Sequence, residues 1–166
     1  MSDTSKPTAR VIDDRPADDS VLLIQTESNT CALPLSVVAE TMRPLKCDSL
    51  ANSAAFLLGV SLIRGLATPV VSLPVLLGES GGAPAARWVT VRIGARMAAI
   101  AIPRVLGVFN LAGHARQGLP PLLGDAGNGF VADVAALDEQ LLLVLRVGRI
   151  VPEAVWESMR EQGTLT

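Results

Sequence analysis

The chain has 166 residues, 49% of them hydrophobic, with 14 basic against 16 acidic side chains and a net charge of −2. That length suits one domain or two intimate subdomains, and the balance of charge leaves no basic footprint for nucleic acid. With only 18% charged residues the chain is too apolar for disorder.

Residues 1–19 carry five acids, three bases, Pro7 and Pro16 with few apolar side chains, so they read as a disordered tail that cannot bury enough surface to offset its ordering entropy. Removing those charges leaves eleven of each sign in the rest of the chain. A partner of the folded part is therefore held by shape and apolar contact. From Val21 onward the texture is β. Runs at 21–26 and 30–35 flank Ser28-Asn29 as a hairpin. Residues 34–42 predict one or two turns of helix. Strands follow at 56–63 and 67–72. Another is expected at 87–93, where Val89, Val91 and Ile93 alternate with Trp88, Thr90 and Arg92. After Gly94-Ala95-Arg96 come strands at 97–102, 104–109, 130–135 and 141–147. Many short strands, punctuated by 14 glycines and 11 prolines, predict an all-β fold of barrels or a sandwich. Pro152, Glu153 and Gly163 frame one helix at 152–162, whose Val151, Val155, Trp156 and Met159 form a stripe for core packing. An echo joins Leu58-Gly59-Val60, Ile63 and Gly65 to Leu106-Gly107-Val108, Leu111 and Gly113, as a pseudo-repeat of two halves would.

Chemistry-bearing residues are scarce. The single histidine, His114, lies in a Gly/Ala/Gln loop, and Gly59-Val60-Ser61 lacks the second glycine of a nucleophile elbow. Cys31 and Cys47, sixteen residues apart, form neither a disulfide framework nor a zinc site with that one histidine. They read as small buried hydrophobes in a reducing compartment. Gly81-Gly82 and 125–129 read as surface loops without the lysine of a phosphate loop. No catalytic, cofactor or metal site is expected. Stretch 50–78 is broken by Arg64, Pro69 and Pro74, and 97–113 by Pro103 and Arg104. No run therefore reaches the roughly 20 apolar residues a bilayer span needs, and the polar start shows no signal peptide. A cytoplasmic protein with no direct membrane insertion is expected.

One ionisable group, Arg64, stands in the greasy run 56–73. Such a charge is held by a carboxylate or displayed at a strand end. Glu40 is the nearest upstream acid in an apolar setting, so a Glu40–Arg64 pair is expected. The compatible functional reading is an interface arginine.

The pattern Gly59-Val60-x-x-Ile63-Arg64-Gly65-x-x-x-Pro69-Val70-Val71-x-Leu73, preceded by Val38-x-Glu40, resembles the CheW-like domain of bacterial chemotaxis coupling proteins. The resemblance implies two small five-stranded β-barrels with a groove between them. The domain spans 20–151, followed by a C-terminal helix and tail at 152–166. It further implies a non-catalytic adaptor, without cofactor, that joins the cytoplasmic signalling tip of chemoreceptors to the regulatory domain of a CheA-type histidine kinase. By the same resemblance Glu40, Arg64 and Gly65 match coupling positions, and Val38 and Gly59 match positions around the receptor-side groove. The chain departs from the pattern at Leu62, where asparagine is common, and at Ser72 and Pro103, where aspartate is common. Arg146 stands where an acid is frequent. With aromatic residues sparse, the interface anchors are expected to be aliphatic, alongside Arg64. Two other readings follow from the residues: a small-molecule module using the inter-barrel groove, and a hydrolase built around His114.

Overall fold

The computed structural model describes residues 19–80, 84–113, 116–117 and 129–161. Expectations for 1–18, Gly81-Gly82, His114 and 125–128 fall outside these residues. The chain runs β1 (Ser20–Gln25), β2 (Thr30–Pro34), a 3₁₀ turn (Leu35–Val37) and β3 (Val38–Met42), then β4 (Leu57–Ile63), β5 (Leu66–Ser72) and a helical turn α1 (Leu73–Leu76). There follow β6 (Arg87–Ile93), β7 (Arg96–Ile102), β8 (Arg104–Asn110), β9 (Arg116–Gln117), β10 (Val131–Leu137), β11 (Gln140–Leu145), a second 3₁₀ turn (Val147–Arg149) and helix α2 (Glu153–Glu161).

The strands form two sheets, in the orders β8-β1-β2-β11-β10-β9 and β3-β6-β7-β5-β4. All pairs are antiparallel except β2 with β11 and β5 with β7. The chain changes sheet at the first 3₁₀ turn and again at Pro103, between β7 and β8. One sheet is thus built from a continuous stretch and the other from both ends of the domain.

This is the all-β class with a C-terminal helix and two subdomains, but the sheets are not the closed five-stranded barrels of the expectation. The first has a sixth, two-residue strand, β9, and neither sheet is closed by a continuous ladder among the described residues. In the second sheet, closure is reduced to one bridge. β3 ends at Met42, and the segment after it, which contains Pro44 and so lacks one donor, crosses to the far edge. There Asp48 and Val60 exchange backbone hydrogen bonds of 2.9 and 2.8 Å, and Ser61 Oγ donates to the Lys46 carbonyl at 2.7 Å.

Alternation places successive side chains on opposite faces of each strand, and in β1, β2, β6 and β7 both faces are largely buried. A large cluster between the sheets takes Leu22, Ile24, Leu33, Val89, Val91 and Ile100, while smaller clusters behind each sheet take Val21, Leu23 and Ala32, or Trp88, Ala99 and Ala101. The face of β6 that looks polar in sequence is therefore also interior at Trp88 and Thr90. Thr90 is buried there, and its hydroxyl donates to the Glu40 carbonyl at 3.3 Å. α2 joins the large cluster through Val155, Trp156 and Met159, each adding roughly 2 kcal/mol of apolar burial. Arg96 stacks 4.3 Å from the Trp156 ring centroid and pairs with Glu153 at 3.3 Å.

The helix expected over 34–42 is instead the 3₁₀ turn and β3. A nine-residue window fits either periodicity, and pairing of Val38–Met42 with β6 decides it. Ser72 caps α1, its hydroxyl accepting from the Val75 amide at 3.4 Å. A departure from the family pattern at this position thus keeps a capping oxygen that aspartate also supplies.

The echo between 58–65 and 106–113 has a local cause. It falls on β4 and β8, each an outermost strand, and in each the register slips by one residue at the leucine. The glycines that follow have φ of 144° and 135°. By strand order about the parallel pairs, β4 corresponds to β1 or β10 and not to β8, so the echo is a bulge motif shared by two edge strands.

Cys31 is buried and Cys47 half-buried, and both are free thiols. Burial, helped by the charge of Glu79, pushes the Cys31 thiol up to about 12, which leaves it unreactive at neutral pH.

Candidate protein-interaction surface

β4 and β5 are joined by a two-residue turn in which Ile63 pairs with Leu66. Arg64 and Gly65 occupy it at φ of 50° and 81°, the doubly left-handed geometry that matches strand twist in tight hairpins. Glycine is favoured at position 65 by φ alone, since a Cβ there would meet nothing within 4 Å. Gly59 differs. A Cβ on it would lie 2.3 Å from the Asp48 carbonyl oxygen, so its place is fixed by the crossing segment.

Arg64 forms the expected pair with Glu40, Nε donating to Oε2 at 2.8 Å and Nη2 to Oε1 at 2.9 Å. β3 and β4 are opposite edges of one sheet, so this fork spans the mouth of the curled sheet. The side chains of Arg64 and Glu40 are 76% and 31% exposed. The hydrogen bonds from Arg64 hold the Glu40 carboxyl below its ordinary range, and the same contact raises Arg64. The strand that carries Glu40 is itself held by Arg92, whose Nη2 donates to the carbonyls of Ser36 and Val38 at 3.2 and 3.4 Å. Val38 is half-buried against the large core cluster.

Because the Glu40 carboxyl is lowered on folding, its stabilising contribution is present above the unfolded value and is lost as pH falls through the folded one. The melting-temperature gap between the native protein and Glu40→Gln should be present at neutral pH and close well below the ordinary carboxylate range. Thermal melts across that range check it; a gap that persists in acid would mean the ionised pair contributes nothing.

Leu62 and Leu66 flank this tip, 70% and 58% exposed, with Leu58 and Leu45 beside them. Half of the large hydrophobics exposed among the described residues thus sit on β4, the first residue of β5 and the crossing segment. Beyond the Asp48 bridge, no strand pairs with the outer edge of β4 among the described residues. Exposed apolar side chains on an unpaired edge strand suit contact with another chain. Sequence reasoning singles out Leu62 only as a departure and misses Leu45, Leu58 and Leu66. The four-residue spacing of 58, 62 and 66 is visible, but nothing local says that β4 is an edge.

A model of the CheW-like domain matches residues 20–155. The chain belongs to this family. Over 109 residues, 64% of this chain and 70% of its relative, it is 22% identical to a probable chemotaxis protein CheW from Rhizobium etli. The fold is similar to the crystal structure of the scaffolding protein TtCheW from Thermoanaerobacter tengcongensis, with a TM-score of 0.70 and 18% identity over 78% of this chain and 89% of that one. Against that family background, Arg146 keeps a local role, its Nη1 donating to the Gly129 carbonyl at 3.4 Å. No described helix is long and apolar enough to cross a membrane.

Proposed function

We propose that this CheW-like protein is a non-catalytic adaptor of a chemosensory pathway, working in the cytoplasm. In this reading it couples the signalling tip of chemoreceptors to the regulatory domain of a CheA-type histidine kinase. The Arg64-Gly65 tip, with Glu40 behind it, docks on the kinase domain, and the side that carries Val38 and Gly59 receives the receptor. The observation that carries this reading is the tip itself: an arginine held in a fork between two exposed leucines, at the hairpin end of an edge strand. Arginine and aliphatic anchors of this kind suit a modest, reversible contact. The family match and the chemotaxis and scaffolding relatives support it.

Calorimetric titration of the protein with the isolated regulatory domain of a chemotaxis kinase from the same cell tests it. Saturable micromolar binding is expected, weakened at least tenfold by Arg64→Ala in a variant that remains folded. Absence of binding by a folded protein would overturn the kinase assignment.

A further inference from the structure

Where α2 begins, the surface carries a hollow of about 470 Å³, a size that suits a small organic molecule. Phe56, Leu76 and Arg96 line it from the second sheet and its flanks, and Phe130, Arg149 and Glu153 from the C-terminal part of the domain. Two guanidiniums against one carboxylate leave this lining with a net positive charge.

The two arginines are held differently. Arg149 has no ion pair among the described residues. Its Nη1 packs on Gly129, where a Cβ would come within 3.3 Å of it. The carbonyl of the same glycine accepts from Arg146 at 3.4 Å, which adds a further positive charge nearby. Arg96 is stacked on Trp156 and reaches Glu153 through Nη1 at 3.3 Å and Nη2 at 3.4 Å. Those distances exceed the 2.8 and 2.9 Å of the Glu40–Arg64 fork and the ordinary length of a charge-assisted bond. The Glu153 side chain is also 62% exposed, so a carboxylate arriving from solvent can compete for Arg96.

A second hollow, of about 230 Å³, shares Phe56 and Pro152 with the first. Leu50, Leu57 and Val155 line it, and none of its described lining residues is charged. A cationic site and an uncharged one thus adjoin at the Phe56 ring.

We propose that this junction binds a small carboxylate with an apolar body. The carboxylate pairs with the planar guanidiniums of Arg149 and Arg96, and the body lies over Phe56 toward the uncharged hollow. A single negative charge balances the lining, whereas a cation of the same shape meets two like charges.

NMR titration of the nitrogen-15-labelled full chain with octanoate tests the site. Saturable shifts of the Gly148, Arg149 and Val151 amide signals are expected, with a dissociation constant of about 1 mM or lower. Octylammonium should produce none of them. Butyrate, which lacks several buried methylenes, should bind at least roughly tenfold more weakly. Arg149→Gln should weaken octanoate at least roughly tenfold and leave the melt unchanged, because its side chain is exposed and unpaired. Glu153→Gln should tighten binding, since Arg96 loses its competitor. Absence of saturable shifts at about 10 mM octanoate, equal binding of octylammonium, or native affinity in folded Arg149→Gln would each overturn the proposal. Affinity that does not rise in Glu153→Gln overturns the part given to Arg96. Should Arg149→Gln fail to fold, the comparison of octanoate with octylammonium on the native protein decides. The test uses neither kinase nor receptor, so its failure leaves the coupling role to be judged by its own titration.

Discussion

Gly59→Ala is expected to cost about 3 kcal/mol of stability, from a Cβ forced against backbone and from a φ that L-residues avoid. For a domain of this size that is a fall of roughly 6–12 °C in melting temperature. The added methyl would lie 2.3 Å from the Asp48 oxygen and 2.7 Å from its carbonyl carbon, atoms that belong to the one bridge tying the crossing segment to β4. The backbone there can move only by breaking that bridge. Gly65→Asn is the control, because position 65 has open space and asparagine tolerates the left-handed region, so its loss should stay well under about 1 kcal/mol. Denaturant unfolding of the two variants checks the contrast. Equal losses would mean that φ alone, and not the crowding by Asp48, sets the requirement at Gly59.

Leu62→Asp with Leu66→Ser is expected to do the opposite, leaving the melt close to native while binding to the kinase regulatory domain falls at least roughly 30-fold, about 2 kcal/mol. Both side chains are more than half exposed, so little burial on folding is lost, whereas a docked partner loses its apolar anchors. Paired melting and titration measurements separate the two effects. Native affinity in the double variant would remove the leucines from the interface and leave Arg64 to act alone. The pair of experiments also divides the motif: the expected results make Gly59 a stability position and the tip around Arg64 a contact position.

Much of the strand pattern is legible in the sequence. Alternation and turn residues place β6 at its observed bounds, and Pro152 and Glu153 mark the start of α2. The Glu40–Arg64 pair is also within reach, because a lone cation in an apolar run needs a carboxylate and few are near. The misreadings share one origin. Residues 34–42 look helical when their periodicity is judged alone, while β6 supplies the ladder that makes β3. That the face of Trp88 and Thr90 is also interior stays out of reach, because a single strand cannot show that a second core lies behind its sheet. The resemblance places Gly59 around the receptor-side groove, while the backbone that a side chain there would meet is that of Asp48 in the same chain, a neighbour no local reading supplies.

Local chemistry alone therefore determined most of where the chain extends and turns, and where α2 begins, because pleat, φ preference and capping act over a few residues. The tertiary structure alone decided which strands are edges, and with that which leucines are core and which are exposed. Leu33 in β2 and Leu62 in β4 present the same side chain to any local reading, yet the first is fully buried and the second 70% exposed. The difference arises from pairing between strands far apart in sequence. It flanks β2 with β1 and β11, and it leaves the outer side of β4 and the tip around Arg64 uncovered.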